Sequence, residues 1–179
     1  VDRWVILQVL NTEALGHYSL AIMALGAAAL LPQVIAQQYY PRMAQLWGAN
    51  QDLTEIRQLA RTQSRLALIP TTVVVLLGEL LGPPLIQHLL PAYAPGIPAF
   101  RIIMLAPIVN TFAQGYGILL NVTDRQYQYI AVIIVSIIVN AVISYLLAVP
   151  AGIEGVAAGT VIAFATFALG ISAIGRSTR

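Results

Sequence analysis

The sequence predicts an all-α, polytopic transmembrane helix bundle, and three observations carry this prediction. Hydrophobic residues make up 59% of the chain and charged residues only 9%, against about 25% charged residues in ordinary globular proteins. The segment from Gln126 to Ile153 contains no charged residue and no histidine. This segment and several other apolar runs approach or exceed the roughly 20 residues that a helix needs to cross a bilayer.

The composition also excludes several classes of function. The chain has no cysteine, so it has no disulfide framework and no thiolate metal site. Its net charge of +2 comes without a basic cluster interleaved with aromatic residues, which argues against nucleic-acid binding. Because the chain begins with Val1 and enters an apolar segment without a signal-peptide pattern, we expect it to be a fragment of a longer protein.

The apolar runs predict five complete membrane spans and one partial span. The partial span, at residues 1–12, is too short to cross a bilayer and resembles the second part of a helix. Each complete span is an uncharged or nearly uncharged run bounded by polar or proline-containing segments. The complete spans cover residues 18–40, 66–82, 101–122, 128–149 and 154–175.

Two longer segments separate the first three complete spans. Residues 42–65 predict a cytoplasmic amphipathic loop, in which Asp52 caps a helix that has Glu55 at its third position and runs into the next span. Residues 83–98 hold five of the ten prolines and predict an outer loop that contains a short interfacial helix at residues 85–90.

The placement of the arginines predicts the orientation of the spans. Seven of the nine arginines fall on one side if the spans alternate, and only Arg101 falls on the other. Because positive charge is retained in the cytoplasm, the first side and the C-terminus are expected to be cytoplasmic. The seven arginines are Arg42, Arg57, Arg61, Arg65, Arg125, Arg176 and Arg179.

Polar residues form a stripe on each of two spans. Ser136, Asn140 and Ser144 recur at a spacing of four, so they share one helix face. Asn110 and Gln114 begin a similar stripe on the preceding span. Polar groups on such stripes avoid lipid and face protein or water. Two partners stay open for the Ser136–Asn140–Ser144 stripe: the Asn110/Gln114 stripe, or a substrate cavity.

Charged residues near or inside the spans are further candidates. Asp2 and Arg3 lie in the partial span, either as a pair on a transport pathway or as a helix end at the cytoplasmic surface. Apart from Glu154 at the first position of the last span, Glu79 is the one carboxylate inside a complete span. It is a candidate for ion coupling, although a hydrated position at the outer interface also fits. Neither His17 nor His88 has a partner at metal-ligand spacing, so we expect no metal site and no cofactor.

Small residues near the last span predict close helix packing. Gly155 and Gly159 have the small-xxx-small spacing that lets two backbones approach each other. We therefore assign them to packing rather than to chemistry.

The order of several short motifs resembles a known family. The chain has Asp2-Arg3 followed by Leu15-Gly16-His17-Tyr18, then Pro41-Arg42, Phe100-Arg101 and Gly152-Ile153-Glu154-Gly155. This series is similar to the C-terminal half of bacterial polysaccharide flippases of the O-antigen and teichoic-acid exporter type. These flippases belong to the multidrug/oligosaccharidyl-lipid/polysaccharide superfamily.

The resemblance implies a fold and a function. The chain would be one six-helix lobe of a two-lobe transporter in the bacterial inner membrane, with the N-terminal lobe missing. The whole protein would flip an undecaprenyl-type lipid-linked oligosaccharide by alternating access, among membrane lipids and without enzymatic activity. Asp2 and Arg3 match a charged pair near the family's central cavity.

Other functions compete with this one. A cation-coupled multidrug exporter of the same superfamily would need membrane-embedded carboxylates, of which the complete spans offer only Glu79. A membrane glycosyltransferase or polymerase would need a larger outer region with acidic and basic residues. A structural membrane subunit also agrees with the polar stripes.

Overall fold

The structure, a computed structural model, describes residues 1–177. This part of the chain consists of helices joined by short turns and has no strand. Arg179, one of the seven arginines assigned to the cytoplasmic side, lies outside the described residues. The helices are α1 (Asp2–Val9), α2 (Thr12–Asn50), α3 (Leu53–Leu89), a 3-10 turn (Pro91–Gly96), α4 (Ile97–Ile103), α5 (Ala106–Val122) and α6 (Gln126–Ser177).

Helix α6 is a hairpin of two antiparallel arms. Gly152 interrupts it with φ 56° and ψ −138°, a conformation open essentially to glycine alone. The first arm covers 126–151 and the second 153–177. The rings of Tyr129 on the first arm and Phe167 on the second meet edge to face with centroids 5.9 Å apart. The boundary predicted between the spans at 128–149 and 154–175 is thus the turn of this hairpin.

The two arms approach closely where glycines replace side chains. A Cβ atom on Gly155 would lie 2.9 Å from the Cβ of Leu147, and one on Gly159 would lie 2.9 Å from the Cα of Ser144. Both distances are too short for carbon atoms in contact. The predicted packing role of Gly155 and Gly159 is confirmed, and their partner is the first arm of the same hairpin.

Polar and apolar residues are distributed on the first arm as in a protein surrounded by lipid. Ser136, Asn140 and Ser144 are at most 8% exposed, whereas Ile134, Ile138 and other aliphatic neighbours are about half exposed. A helix in water buries its apolar face instead.

Four helical stretches in residues 1–177 are long and apolar enough to cross a membrane: Thr12–Asn50, Leu53–Leu89, Pro91–Val122 and Gln126–Ser177. The chain is therefore an all-helical bundle compatible with a multi-pass membrane protein.

The proline-rich segment at 83–98 is helical over most of its length, well beyond the short helix that the sequence predicts within a loop. Helix α3 continues through Pro83 and Pro84 to Leu89, and the 3-10 turn leads directly into α4. Proline removes one backbone hydrogen bond, but tertiary packing offsets this loss here. Pro83 is buried, and the ring of Phe100 packs against Gly82, where a Cβ would meet it at 2.6 Å.

The segment at 42–65 is also more helical than the predicted loop. Helix α2 continues past Pro41 to Asn50, because Met43 is fully buried against the start of α3 and α5. Asp52 then caps α3 by accepting a hydrogen bond from the Thr54 N–H at 2.7 Å. The predicted cap and the continuous helix into the next span are confirmed, and only Gln51 and Asp52 form the turn.

The span predicted at 101–122 is broken near its start. Helix α4 ends at Ile103 and α5 begins at Ala106. Pro107 lacks the N–H that would bond to the Ile103 carbonyl in an unbroken helix. This span is thus two helices joined by a turn at Met104 and Leu105 rather than one continuous helix.

Replacing Gly159 by alanine should destabilise the hairpin. The added methyl group meets the backbone of Ser144, and overpacking of this kind costs about 1–3 kcal/mol. Thermal unfolding in detergent, followed by circular dichroism, measures the loss. The matched control is Gly26→Ala, because a Cβ at Gly26 meets nothing within 4 Å. Equal stability of the two variants would contradict the close approach of the arms.

Candidate functional site

A cavity of about 540 Å³ opens among α1, α2, α5 and the two arms of α6. Its apolar wall includes Ile22, Ile133, Phe164 and Phe167. Its polar wall combines one carboxylate, one guanidinium, two amides and several hydroxyls. The residues that supply these groups are Asp2, Arg3, Asn110, Tyr129, Ser136, Asn140 and Thr160.

The carboxylate of Asp2 is held by two hydroxyl groups. Tyr18 donates to its Oδ2 at 2.9 Å, and Thr160 donates to the same oxygen at 2.7 Å. Both donors are buried, Tyr18 completely. Hydrogen bonds to a charged acceptor are roughly twice as strong as those between neutral groups, so these contacts fix α1 against α2 and the second arm of α6.

Thr160 is the centre of this network. Its hydroxyl lies 2.7 Å from Asp2 Oδ2 and 3.2 Å from the Val156 carbonyl, and it accepts a hydrogen bond from Asn140 Nδ2 at 3.3 Å. A hydroxyl has one proton to donate, so Asp2 and the Val156 carbonyl compete for it.

Asp2 lies within the apolar length of the bundle. Its partner Thr160 follows Gly152 by eight residues, about 12 Å along the arm at 1.5 Å per residue. Arg176 is 16 residues further on, about 24 Å away by the same measure. The Asp2 side chain is thus not at the arginine-bearing end of α6, as the helix-end interpretation required.

Two polar groups of the cavity have no partner within the described part of the chain. The guanidinium of Arg3 and the amide of Asn110 make no hydrogen bond to another residue between 1 and 177. Arg3 is exposed and Asn110 is half-buried. Both groups are therefore available to a ligand, unlike those of Asp2, Asn140 and Thr160.

The stripe on the first arm of α6 bonds to the second arm of the same helix and, at Ser136 and Asn140, also lines the cavity. Asn140 donates to Thr160, and the Ser144 hydroxyl donates to the Val156 carbonyl at 3.4 Å. Its main partner is thus the second arm, since the Gly152 turn folds that arm back onto it. Ser136 bonds the Val132 carbonyl of its own helix at 2.8 Å, and Ser144 does not line the cavity.

Gln114 lies outside the cavity, at the seam between α3 and α5. Its Oε1 accepts a hydrogen bond from Gln63 Nε2 at 3.3 Å. At the same seam the Ser64 hydroxyl accepts a hydrogen bond from the Gly115 N–H at 3.2 Å. These hydrogen bonds join α3 to α5. Helix packing therefore explains a polar residue at position 114, and no ligand is needed to explain it.

Glu79 is also remote from the cavity. Its Oε2 lies 3.9 Å from Nε of Arg101, which is the one ion pair that the structure gives within residues 1–177. Arg101 is largely exposed, so this pair contributes at most about 1 kcal/mol to stability. No group of three or more histidine, cysteine or acidic residues in the described part of the chain could hold a metal ion.

The sequence analysis missed Tyr18 and Thr160. Tyr18 belonged to the motif that carries the family resemblance, and Thr160 follows Gly159 directly. A residue next to a small-xxx-small pair lies at the same close contact between helices. A hydroxyl at that position can therefore reach polar groups of the facing helix, and this signal could have identified Thr160.

No protein-family model matches the chain, and searches of curated proteins and of solved structures found no match either.

Thr160→Val should lower the free energy of unfolding by about 1–3 kcal/mol, because the part-buried Asp2 carboxylate loses a hydrogen-bond donor. In an Asp2→Asn background the same substitution should cost at least about 1 kcal/mol less, because the acceptor is neutral. Chemical unfolding of the four proteins in detergent measures this coupling.

Thr166→Val is the matched control, since the Thr166 hydroxyl bonds only the Ile162 carbonyl of its own helix at 2.9 Å. Losses for Asp2→Asn and Thr160→Val that add to within about 0.5 kcal/mol would contradict the coupling.

Proposed function

We propose that the chain is one lobe of a two-lobe flippase that moves a lipid-linked oligosaccharide across the bacterial inner membrane by alternating access. In this proposal five segments cross the membrane, namely α2, α3, α4 with α5, and the two arms of α6, and α1 is the end of a sixth membrane helix. In this proposal the C-terminus is cytoplasmic, the N-terminal lobe completes the transport pathway, and the protein is not an enzyme.

The observation that carries the proposal is the two-sided wall of the cavity. One side offers the guanidinium of Arg3 and the amide of Asn110, and the other offers the rings of Phe164 and Phe167. A lipid-linked oligosaccharide has phosphate groups that a guanidinium binds, hydroxyls that amides bond, and an apolar chain. The cavity thus combines the groups that such an amphipathic ligand requires.

A second candidate function is cation-coupled multidrug export, and Asp2 favours it. A carboxylate at this depth is costly unless it has a function or a partner. The oxygen atoms of Asp2, Thr160 and the Val156 carbonyl cluster at one point. We infer that Asp2 is a better coupling candidate than Glu79, whose partner Arg101 is largely exposed.

The two functions make different predictions for cells that lack the gene. A flippase defect should reduce surface polysaccharide and cause lipid-linked repeat units to accumulate with their sugars facing the cytoplasm. An exporter defect should change drug sensitivity alone, and that result would overturn the flippase proposal. Quantification of lipid-linked sugars and drug-susceptibility tests separate the two.

Variants of the two unpartnered cavity groups sharpen this test. Arg3→Gln and Asn110→Leu should each reduce transport roughly tenfold or more, because a lost hydrogen bond to a charged ligand group is worth about 1.5–3 kcal/mol. Complementation of the deletion strain, normalised to the amount of folded protein in the membrane, measures transport.

Arg42→Gln and Gln38→Leu are the matched controls, since both residues are exposed on α2 and neither lines the cavity. Full transport by Arg3→Gln and Asn110→Leu would contradict the assigned role of the cavity.

A further inference from the structure

A second cavity, distinct from the first, is a groove on the outer side of the bundle. It has a volume of about 470 Å³ and lies between α5 and the second arm of α6. Phe112 and Leu169 border it and are more than half exposed, so the groove opens toward the surroundings of the bundle. It shares no lining residue with the substrate cavity.

The groove is apolar along its length and cationic at one end. Small and aliphatic residues, among them Val109, Ala165 and Ala173, line it up to Arg176. Arg176 follows Gly152 by 24 residues, about 36 Å along the arm, which exceeds the roughly 30 Å of a bilayer's hydrocarbon core. The guanidinium is therefore at headgroup depth when Gly152 lies at the opposite side of the bilayer.

At this end of the groove the buried Tyr116 contacts arginine side chains, which add to the positive charge. Arg61 donates from Nε to the Tyr116 hydroxyl at 3.0 Å, and Arg176 interacts with the same hydroxyl. Arg57 on the preceding turn of α3 donates from Nε to the Gly175 carbonyl at 3.3 Å. Tyr116 is only 5% exposed, so it fixes guanidinium groups from two different helices near one point.

No carboxylate in the described part of the chain neutralises this pair. Neither Arg61 nor Arg176 forms an ion pair within residues 1–177. The acids nearest along α3 are Asp52 and Glu55, and Glu55 precedes Arg61 by six residues, about 9 Å along the helix. Arg61 and Arg176 are both exposed and can each donate further hydrogen bonds to an anion.

We propose that this groove binds an anionic glycerophospholipid of the surrounding bilayer. One acyl chain lies along Ala165, Leu169 and Ala173, and the phosphate bonds to Arg61 and Arg176. Basic pockets between membrane helices at headgroup depth favour anionic lipids by charge. A zwitterionic lipid adds a cation that these guanidinium groups repel, and inorganic phosphate has no chain to fill the apolar part.

Native mass spectrometry of the purified full chain tests the proposal with phosphatidylglycerol and phosphatidylcholine as competing probes. Phosphatidylglycerol should be retained in preference. Arg61→Gln and Arg176→Gln should each weaken its binding roughly fivefold and together roughly 30-fold, as expected for about 1 kcal/mol per arginine. Ala173→Trp should also reduce retention by filling the groove.

Two matched controls separate this site from general surface charge. Arg101→Gln removes an exposed arginine from α4, outside the groove, and should leave retention unchanged. Ala131→Trp, at an exposed position on the other arm, should do the same. Arg176→Gln is informative even if Arg61→Gln fails to fold, because Arg176 is exposed at a helix end.

Three outcomes would overturn the proposal. The first is equal retention of the two lipids. The second is an equal loss for Arg101→Gln and Arg176→Gln. The third is displacement of phosphatidylglycerol by inorganic phosphate with no effect of Ala173→Trp, which would indicate a site for free anions.

Discussion

The close approach of the two arms of α6 determines where the polar groups of this protein meet. Glycine at 155 and 159 removes the side chains that would hold the arms apart, and the conformation of Gly152 turns the chain back. As a result, Thr160 reaches Asn140 on one side and Asp2 on the other. The cavity wall depends on this contact, because both arms and α1 supply all of its polar residues except Asn110 of α5.

The second constraint is the cost of unsatisfied polar groups in an apolar environment. In hydrocarbon such groups cannot bond to water and must find partners within the protein. Asp2, Asn140 and Ser144 are partnered in this way, by hydroxyl or carbonyl groups of other segments. Arg3 and Asn110 have no such partner within residues 1–177, which is why we propose them as ligand contacts.

Much of the fold follows from composition and periodicity, but the pairing of helices does not. The apolar runs predicted the helical spans. The small residues after Gly152 predicted a close contact between two helices. A spacing of four residues defines the face on which Ser136, Asn140 and Ser144 lie. It does not define which helix meets that face, because this depends on how the chain folds back in space.

Proline misled the prediction where packing outweighs local preference. Pro83 and Pro84 indicate a loop by sequence, but burial against Phe100 keeps α3 helical. Conversely, the uncharged run at 102–123 predicts one continuous helix, whereas the structure has a break before Pro107.

The predicted site residues divide into two groups. One group lines the cavity: Asp2, Arg3, Asn110, Ser136 and Asn140. The other group, Gln114, Ser144 and Glu79, lies outside it. Composition alone could not separate these groups, since amides serve equally for ligands and for helix contacts.

The second arm of α6 separates the inner cavity from the outer groove. Thr160, Phe164 and Phe167 point into the inner cavity, and Ala165, Leu169 and Arg176 border the outer groove. At 100° per residue these two sets lie on nearly opposite sides of one helix. One helix therefore forms part of the wall of both, so a change in the position of this arm would alter the inner cavity and the outer groove together.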